Sequence, residues 1–187
     1  LTVPNSQLVP EYAYNFSLGI GKKINFNNIQ FSFSSSSFLT ILDNIITKQS
    51  LEINGSSLIY YDSNYYEILA NQNNAVGIVY GLSGSLSITF FKNLKVHSSL
   101  CYTSGILEKE EIPMSHIPPL FGKLNLNYIF KKFEFQILNN FNAEKSNKLF
   151  GQGNTDNPLE ASPMGYPSWW VINTQVGYQY KESLKLS

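Results

Sequence analysis

Arginine is absent from this chain. All 13 basic residues are lysine, 13 carboxylates balance them, and the formal net charge is zero. Nucleic-acid binding leans on net basicity and on bidentate guanidinium contacts, so that class is excluded. Charge of either sign is scarce. Charged residues make up 14% of the sequence, below the roughly 25% of ordinary soluble domains, and aromatics equal them at 14%. Solubility would have to come from Ser and Asn. Cysteine is nearly missing: Cys101 stands alone, which rules out an internal disulfide framework and a cysteine metal cluster. No run of 18 apolar residues occurs, so no transmembrane helix is expected. Leu1–Pro10 has neither a basic start nor an apolar core, unlike a secretory leader. A mature form or a piece of something longer is the expectation.

What the chain has instead is a long two-sided strand, Val76–Phe91. Its even positions, among them Ile78, Tyr80, Leu82, Leu86, Ile88 and Phe90, are apolar or aromatic except Gly84. Its odd positions up to Thr89 are small and uncharged apart from Val79: Gly77, Gly81, Ser83, Ser85, Ser87 and Thr89. Side chains alternate across a strand, so this pattern makes one greasy wall and one polar wall. The stretch reaches roughly 50 Å at about 3.3 Å per residue, far beyond the usual soluble strand. A tilted strand crossing a bilayer needs about 9–11 residues and often projects beyond the lipid.

The same alternation recurs along the chain. Glu11–Gly21 reads as a strand, followed by a short connection, Gly21–Asn27. Ile29, Phe31 and Phe33 face outward, and the apolar parity shifts after Ser34–Ser37, where a bulge is expected. Phe38–Ile46 continues the strand. A loop from Thr47 to Asn64 holds Asn54-Gly55, a tight-hairpin signal. The long strand from Tyr65 to Phe91 is expected to break at Asn71–Asn74. A turn at Lys92-Asn93, a strand Leu94–Gly105 and a loop Ile106–Pro119 come next. Leu120–Phe130, a turn at Lys131-Lys132 and a strand from Phe133 to Ala143 follow. A loop Lys145–Pro167 leads to Trp169–Tyr180, and a turn near Lys181 opens a last strand that reaches Ser187. The fold class predicted is all-β, an antiparallel transmembrane β-barrel segment of about eight strands with short turns on one side and long loops on the other. Lysines (Lys22, Lys23, Lys92, Lys95, Lys131, Lys132, Lys181, Lys185) sort to the short turns as solubilising hairpin ends or as headgroup contacts. Acids, including Asp43, Glu52, Asp62, Glu67, Glu108, Glu110, Glu111, Asp156 and Glu160, sort to the long loops. Aromatics at strand ends, among them Tyr65, Tyr66, Tyr102, Trp169 and Trp170, suit interfacial girdles.

Three stretches resemble the barrel of TonB-dependent outer-membrane receptors. Val3–Glu11 followed by Phe16-Ser-Leu-Gly19 is similar to that family's "N-P-x-L-x-P-E" strand opening. Asn73–Gly81 is similar to its asparagine-to-glycine element at the head of a barrel strand. Pro113–Gly122 with Leu126-Asn-Tyr128 is similar to its "P-x-x-x-I-P-P-x-x-G … L-x-Y" signature. Two positions depart from the pattern: Ser83 stands where an acid is usual after Gly81, and Ser17 stands where Glu is usual beside Gly19. The resemblance implies a barrel of about 22 strands plugged from within. It further implies uptake of a scarce ligand (siderophore, haem, cobalamin or glycan) with energy relayed through TonB. The partners implied are outer-membrane lipid, TonB, a plug domain and the ligand, in the bacterial outer membrane. Residues 1–187 would then be a partial barrel, with the plug and closing strands elsewhere.

Chemistry-bearing constellations are few. Gly19-Ile-Gly21-Lys22-Lys23 has the wrong spacing for a phosphate loop and no helix pattern after it. Cys101 lies on the polar side with no base beside it, as a structural thiol does. Glu108, Glu110 and Glu111 read as a solvated loop before they read as a Ca²⁺ site. His116, beside Pro118-Pro119, packs a loop or ligates haem iron. Tyr60, Tyr61 and His116 are the loop candidates for ligand contact. No catalytic set, metal site or resident cofactor is expected, and no enzyme. Two other architectures compete: a secreted β-sandwich adhesin or glycan-binding module, and a small complete eight-stranded barrel. The first should carry more surface charge and shorter strands. The second should end in a full closing strand.

Overall fold

The computed structural model describes residues 1–108, 111–151, 159–181 and 184–186. Glu110 and Asp156 of the acidic loops lie outside the described residues. Alternation dominates the chain, and the result is one large sheet. Its long strands are β2 (Tyr12–Phe26), β3 (Ile29–Ser50), β6 (Leu69–Phe90), β7 (Leu94–Leu107), β9 (Phe121–Phe130), β10 (Phe133–Asn142) and β13 (Trp169–Lys181), with a short β14 (Leu184–Leu186). Their order across the sheet is β14-β13-β10-β9-β7-β6-β3-β2, and every neighbouring pair is antiparallel. This is an up-and-down meander. Smaller strands lie at one end: β1 (Thr2–Val3), the hairpin β4 (Leu58–Tyr61) and β5 (Asn64–Glu67), β8 (Ile112–Pro113), β11 (Lys145–Ser146) and β12 (Gly165–Tyr166). No helix of the described residues is long and apolar enough to cross a membrane.

The register confirms the two walls. One rung across the sheet is Gly19, Ser36, Ser83, Cys101, Phe121, Asn142 and Trp169. The adjoining rung, on the other face, is Ile20, Ser35, Gly84, Leu100, Gly122, Phe141 and Trp170. The greasy face is bare: Leu18 is 75% exposed, Ile20 69% and Trp170 72%. A contiguous apolar face of this kind is foreign to a soluble monomer. Glycines aside, the well-buried residues among those described, Ile68, Ala70, Leu107, Lys145 and Phe150, lie at the long-loop end.

Several boundaries differ from the sequence-based expectation. Gly21–Phe26 is strand, because it pairs residue by residue with Ile29–Ser34, and only Asn27-Asn28 turns. Asn27 takes φ 49°, which asparagine tolerates. The serine run holds no bulge. Pairing of β3 with β6 is unbroken from Ile29 to Leu42, so Phe38 points to the polar wall, over Gly81. A side chain at Gly81 would collide with the Phe38 ring. The bulge sits later, between Leu42 and Ile46, where Asn44 takes φ 58°. Nor does β6 break at Asn71–Asn74. It stays in the ladder because β3 pairs with it there, and β1 joins it in parallel at Leu69 and Ala70.

The turns at Phe91–Asn93 and Lys131-Lys132 are short, as expected. Asn54 (φ 54°) and Gly55 (φ 77°) form the tight hairpin the dipeptide signals, closed by Ile53 and Ser56. The rest of that loop is partly strand, since β3 runs to Ser50 and the β4–β5 hairpin follows. In β13, Trp170 faces the greasy side while Trp169 falls on the polar side, across from Asn142. Only one of the two tryptophans is therefore placed for a girdle.

Candidate functional site

The sheet curves around its polar wall. The concavity holds about 1090 Å³ and is lined by serines and glycines of β2, β3, β6 and β7 facing Phe121, Lys123, Asn140 and Trp169. The serine half satisfies itself. Ser34 and Ser85 share a hydroxyl hydrogen bond of 2.8 Å and Ser36 and Ser83 share one of 2.7 Å, while on the apolar face Ser35 Oγ donates to the Ser83 carbonyl. His97 Nδ1 lies 2.6 Å from Ser87 Oγ. Cys101 faces Ser83 across the ladder and is half-buried, in keeping with a structural thiol.

The other half is built from carboxamides. Asn125, Asn127, Gln136, Asn173 and Gln175 line a second depression of about 490 Å³. Glu134 Oε1 accepts from Asn127 Nδ2 at 2.6 Å and from Gln136 Nε2 at 2.8 Å. The Oδ1 atoms of Asn125 and Asn127 are buried and accept nothing. Both residues line the depression, with these oxygens as acceptors.

At the long-loop end the candidate residues stand on two different loops. Tyr60 and Tyr61 are both exposed on the β4–β5 hairpin, and the Tyr60 and Tyr65 rings meet at 5.0 Å. Asp62 and Ser63, both at positive φ, make the tight turn that presents them. His116 is exposed and follows β8, which pairs with the end of β7. Its neighbour Ser115 is packed against Gly151 of the next long loop, where φ is 81° and a side chain would strike Ser115. That loop is held by Phe150, which is buried against Tyr166 at 5.2 Å and under the Lys145 ammonium at 5.8 Å. Among the described residues, no group of three or more His, Cys, Asp or Glu is placed to hold a metal.

One arrangement escapes the sequence reading. Asn73 clamps the incoming N-terminal segment: its Oδ1 accepts from Val9 N–H at 2.9 Å, and its Nδ2 donates to the carbonyls of Val9 (2.9 Å) and Asn44 (2.7 Å). Asn5 Nδ2 donates to the Asn71 carbonyl, and Glu11 Oε1 accepts from Ile46 N–H at 2.6 Å. The bulge groups left free of the ladder are thus satisfied by two of the stretches that carry the family resemblance. The signal was present in the asparagines and the Pro-Glu pair, but only register shows that they meet.

A family model described as "TonB dependent receptor-like, beta-barrel" matches residues 1–187. The chain belongs to the TonB-dependent receptor β-barrel family. Among solved structures it is similar to the copper transporter OprC (16% identity, TM-score 0.64, 96% of this chain and 25% of that one). It is also similar to the siderophore receptor PirA of Acinetobacter baumannii (17%, TM-score 0.65, 95% and 27%). The FrpB iron transporter of Neisseria meningitidis matches at 11% identity with TM-score 0.59, over 96% of this chain and 26% of that one. At such identities these likenesses speak for the fold. The chain spans about a quarter of each of those structures. A comparison with curated proteins finds no match. The family is one of transport receptors, and the open sheet is a segment of its barrel wall.

Proposed function

We propose that residues 1–187 form part of the outer-membrane barrel of a TonB-dependent receptor that takes up a scarce ligand (a siderophore, haem, cobalamin or glycan). The observation that carries this is the two-walled meander: an apolar face continuous across the long strands, a concave polar face, and all long connections at one end. The apolar face meets lipid, the long loops lie outside the cell, and the short turns face the periplasm. Tyr60, Tyr61 and His116 are loop candidates for ligand contact. The concave wall receives the plug domain, whose donors complete Asn125 and Asn127, and TonB supplies the energy through that domain.

Topology is the test. In the full receptor with Cys101→Ser, a cysteine at Tyr61 should react on intact cells with a membrane-impermeant reagent. One at Lys132 should react only after the outer membrane is opened. Labelling of the Lys132 site on intact cells would invert the arrangement, and labelling of neither in opened cells would remove the barrel from the outer membrane.

A further inference from the structure

Lys123 breaks the sorting of charges along this chain. Lys22, Lys23, Lys92, Lys95, Lys131 and Lys132 lie toward the short turns, whereas Lys123 sits inside β9, roughly 25 Å along the strand from the Lys131-Lys132 turn. Register places it on the polar wall between Ser99 of β7 and Asn140 of β10, and it lines the large concavity. The wall positions within reach of its side chain are all described. Its diagonal neighbours are Cys101 and Asn142 toward the long loops and His97 and Leu138 toward the short turns, while Phe121 and Asn125 flank it along β9. None of these is an acid. Glu134, on the same wall, lies roughly 20 Å from Asn140 along β10. Glu144 stands just past the end of that strand, and Lys123 makes no hydrogen bond or ion pair with any described residue. The two positions where the family pattern carries an acid fall on this wall as well, and both hold serine, Ser17 and Ser83.

We propose that the plug domain seated on this wall presents a carboxylate to the Lys123 ammonium, so that a cation of the wall meets an acid of the plug. This rests on the reading of the concave wall as the plug's seat, given under the proposed function. The reason is desolvation. An ammonium facing water needs no partner, but a domain that covers the concavity removes that water, and an unpaired cation beneath it is costly. Ser99 and Asn140 offer it dipoles and no opposite charge. The neutralising group therefore comes from the surface that covers it. The small serines around Lys123 leave room for an acidic side chain to reach down to the wall.

The test treats the full receptor with a carbodiimide, which joins an amine to a carboxylate in contact with it, and maps the cross-links by mass spectrometry. Lys123 should be joined to an Asp or Glu of the plug. Lys123→Arg, whose guanidinium does not react, should lose the cross-link and keep the plug in place. Lys123→Glu should release the plug at a lower urea concentration, and changing the mapped acid to Lys in that background should restore wild-type release. A cross-link from Lys123 to a loop or wall carboxylate, no cross-link at all, or unchanged plug release in Lys123→Glu would overturn the pairing while leaving the barrel and its plug in place. A plug cross-link from Lys22, which lies on the opposite wall across from Phe33, would reverse the two faces and overturn the membrane reading itself.

Discussion

The two halves of the polar wall solve the same problem differently. In β3 and β6, serine hydroxyls of the polar wall pair across the ladder, Ser34 with Ser85 and Ser36 with Ser83. In β9, β10 and β13, carboxamides and one carboxylate crowd together, and two amide oxygens are left without donors. A hydroxyl rotates to serve as donor and acceptor, whereas a carboxamide has fixed donor and acceptor ends that a sheet rung rarely matches at once. The carboxamide half leaves two acceptors unmatched within the sheet.

The largest effects should come from the wall the halves share. Leu86 and Leu124 lie on the same apolar rung, one in each half. Leu86→Arg and Leu124→Arg in the full receptor should each destabilise insertion by about 2–4 kcal/mol near the midplane, measured by folding into lipid vesicles. Ser85→Arg, on the opposite wall, should be milder. Tolerance of all three changes would remove the lipid assignment and the comparison with it.

Next is Asn73, a carboxamide in the serine half with both ends engaged. Asn73→Ala should destabilise the N-terminal strap locally by about 2 kcal/mol, visible as faster amide exchange at Val9 and Ile46. Unchanged exchange would mean that satisfaction of the amide is not what separates the halves. Gly81→Val should cost about 1–3 kcal/mol through overpacking against Phe38, while Gly84→Ala, whose Cβ meets nothing closer than the Ser34 carbonyl at 3.9 Å, should sit near zero. Chemical denaturation of the pair separates the two. No loss is expected in the carboxamide half: Asn125→Ala should leave the barrel wall unchanged or stabilise it by up to about 1 kcal/mol, because it removes a buried acceptor that has no donor. A large loss in a barrel lacking its plug would show that Asn125 is already partnered within the wall.

Much of this was legible because a period of two, sustained over so many strands, leaves few architectures. Val76–Phe90 declares its faces residue by residue, and the structure keeps them. Phe38 misled for a physical reason. An aromatic on the polar wall looks like a parity shift unless the glycine that makes room for it, Gly81 on the neighbouring strand, is known to lie opposite. The true bulge was hidden because its stabilising groups, Glu11 and Asn73, come from far along the chain. Tyr60 and Tyr61 were rightly placed off the barrel wall, yet their hairpin was not, since strands of only four residues, Leu-Ile-Tyr-Tyr and Asn-Tyr-Tyr-Glu, give little periodic signal. The unsatisfied amides of Asn125 and Asn127 were invisible for the same reason as the strap: both depend on what lies across the rung.

The strap also constrains the order of events during assembly. Asn5 and Val9 bond to residues 66 and 64 positions later, and Thr2–Val3 pairs with β6 across the whole of β2 and β3. Such closures are slow, because a long chain must be confined before any contact compensates for it. Leu1–Glu11 therefore cannot lock until β6 stands in the ladder. Within residues 1–187, a pathway that paired strands strictly in sequence order would form these contacts only after β3 and β6 had joined.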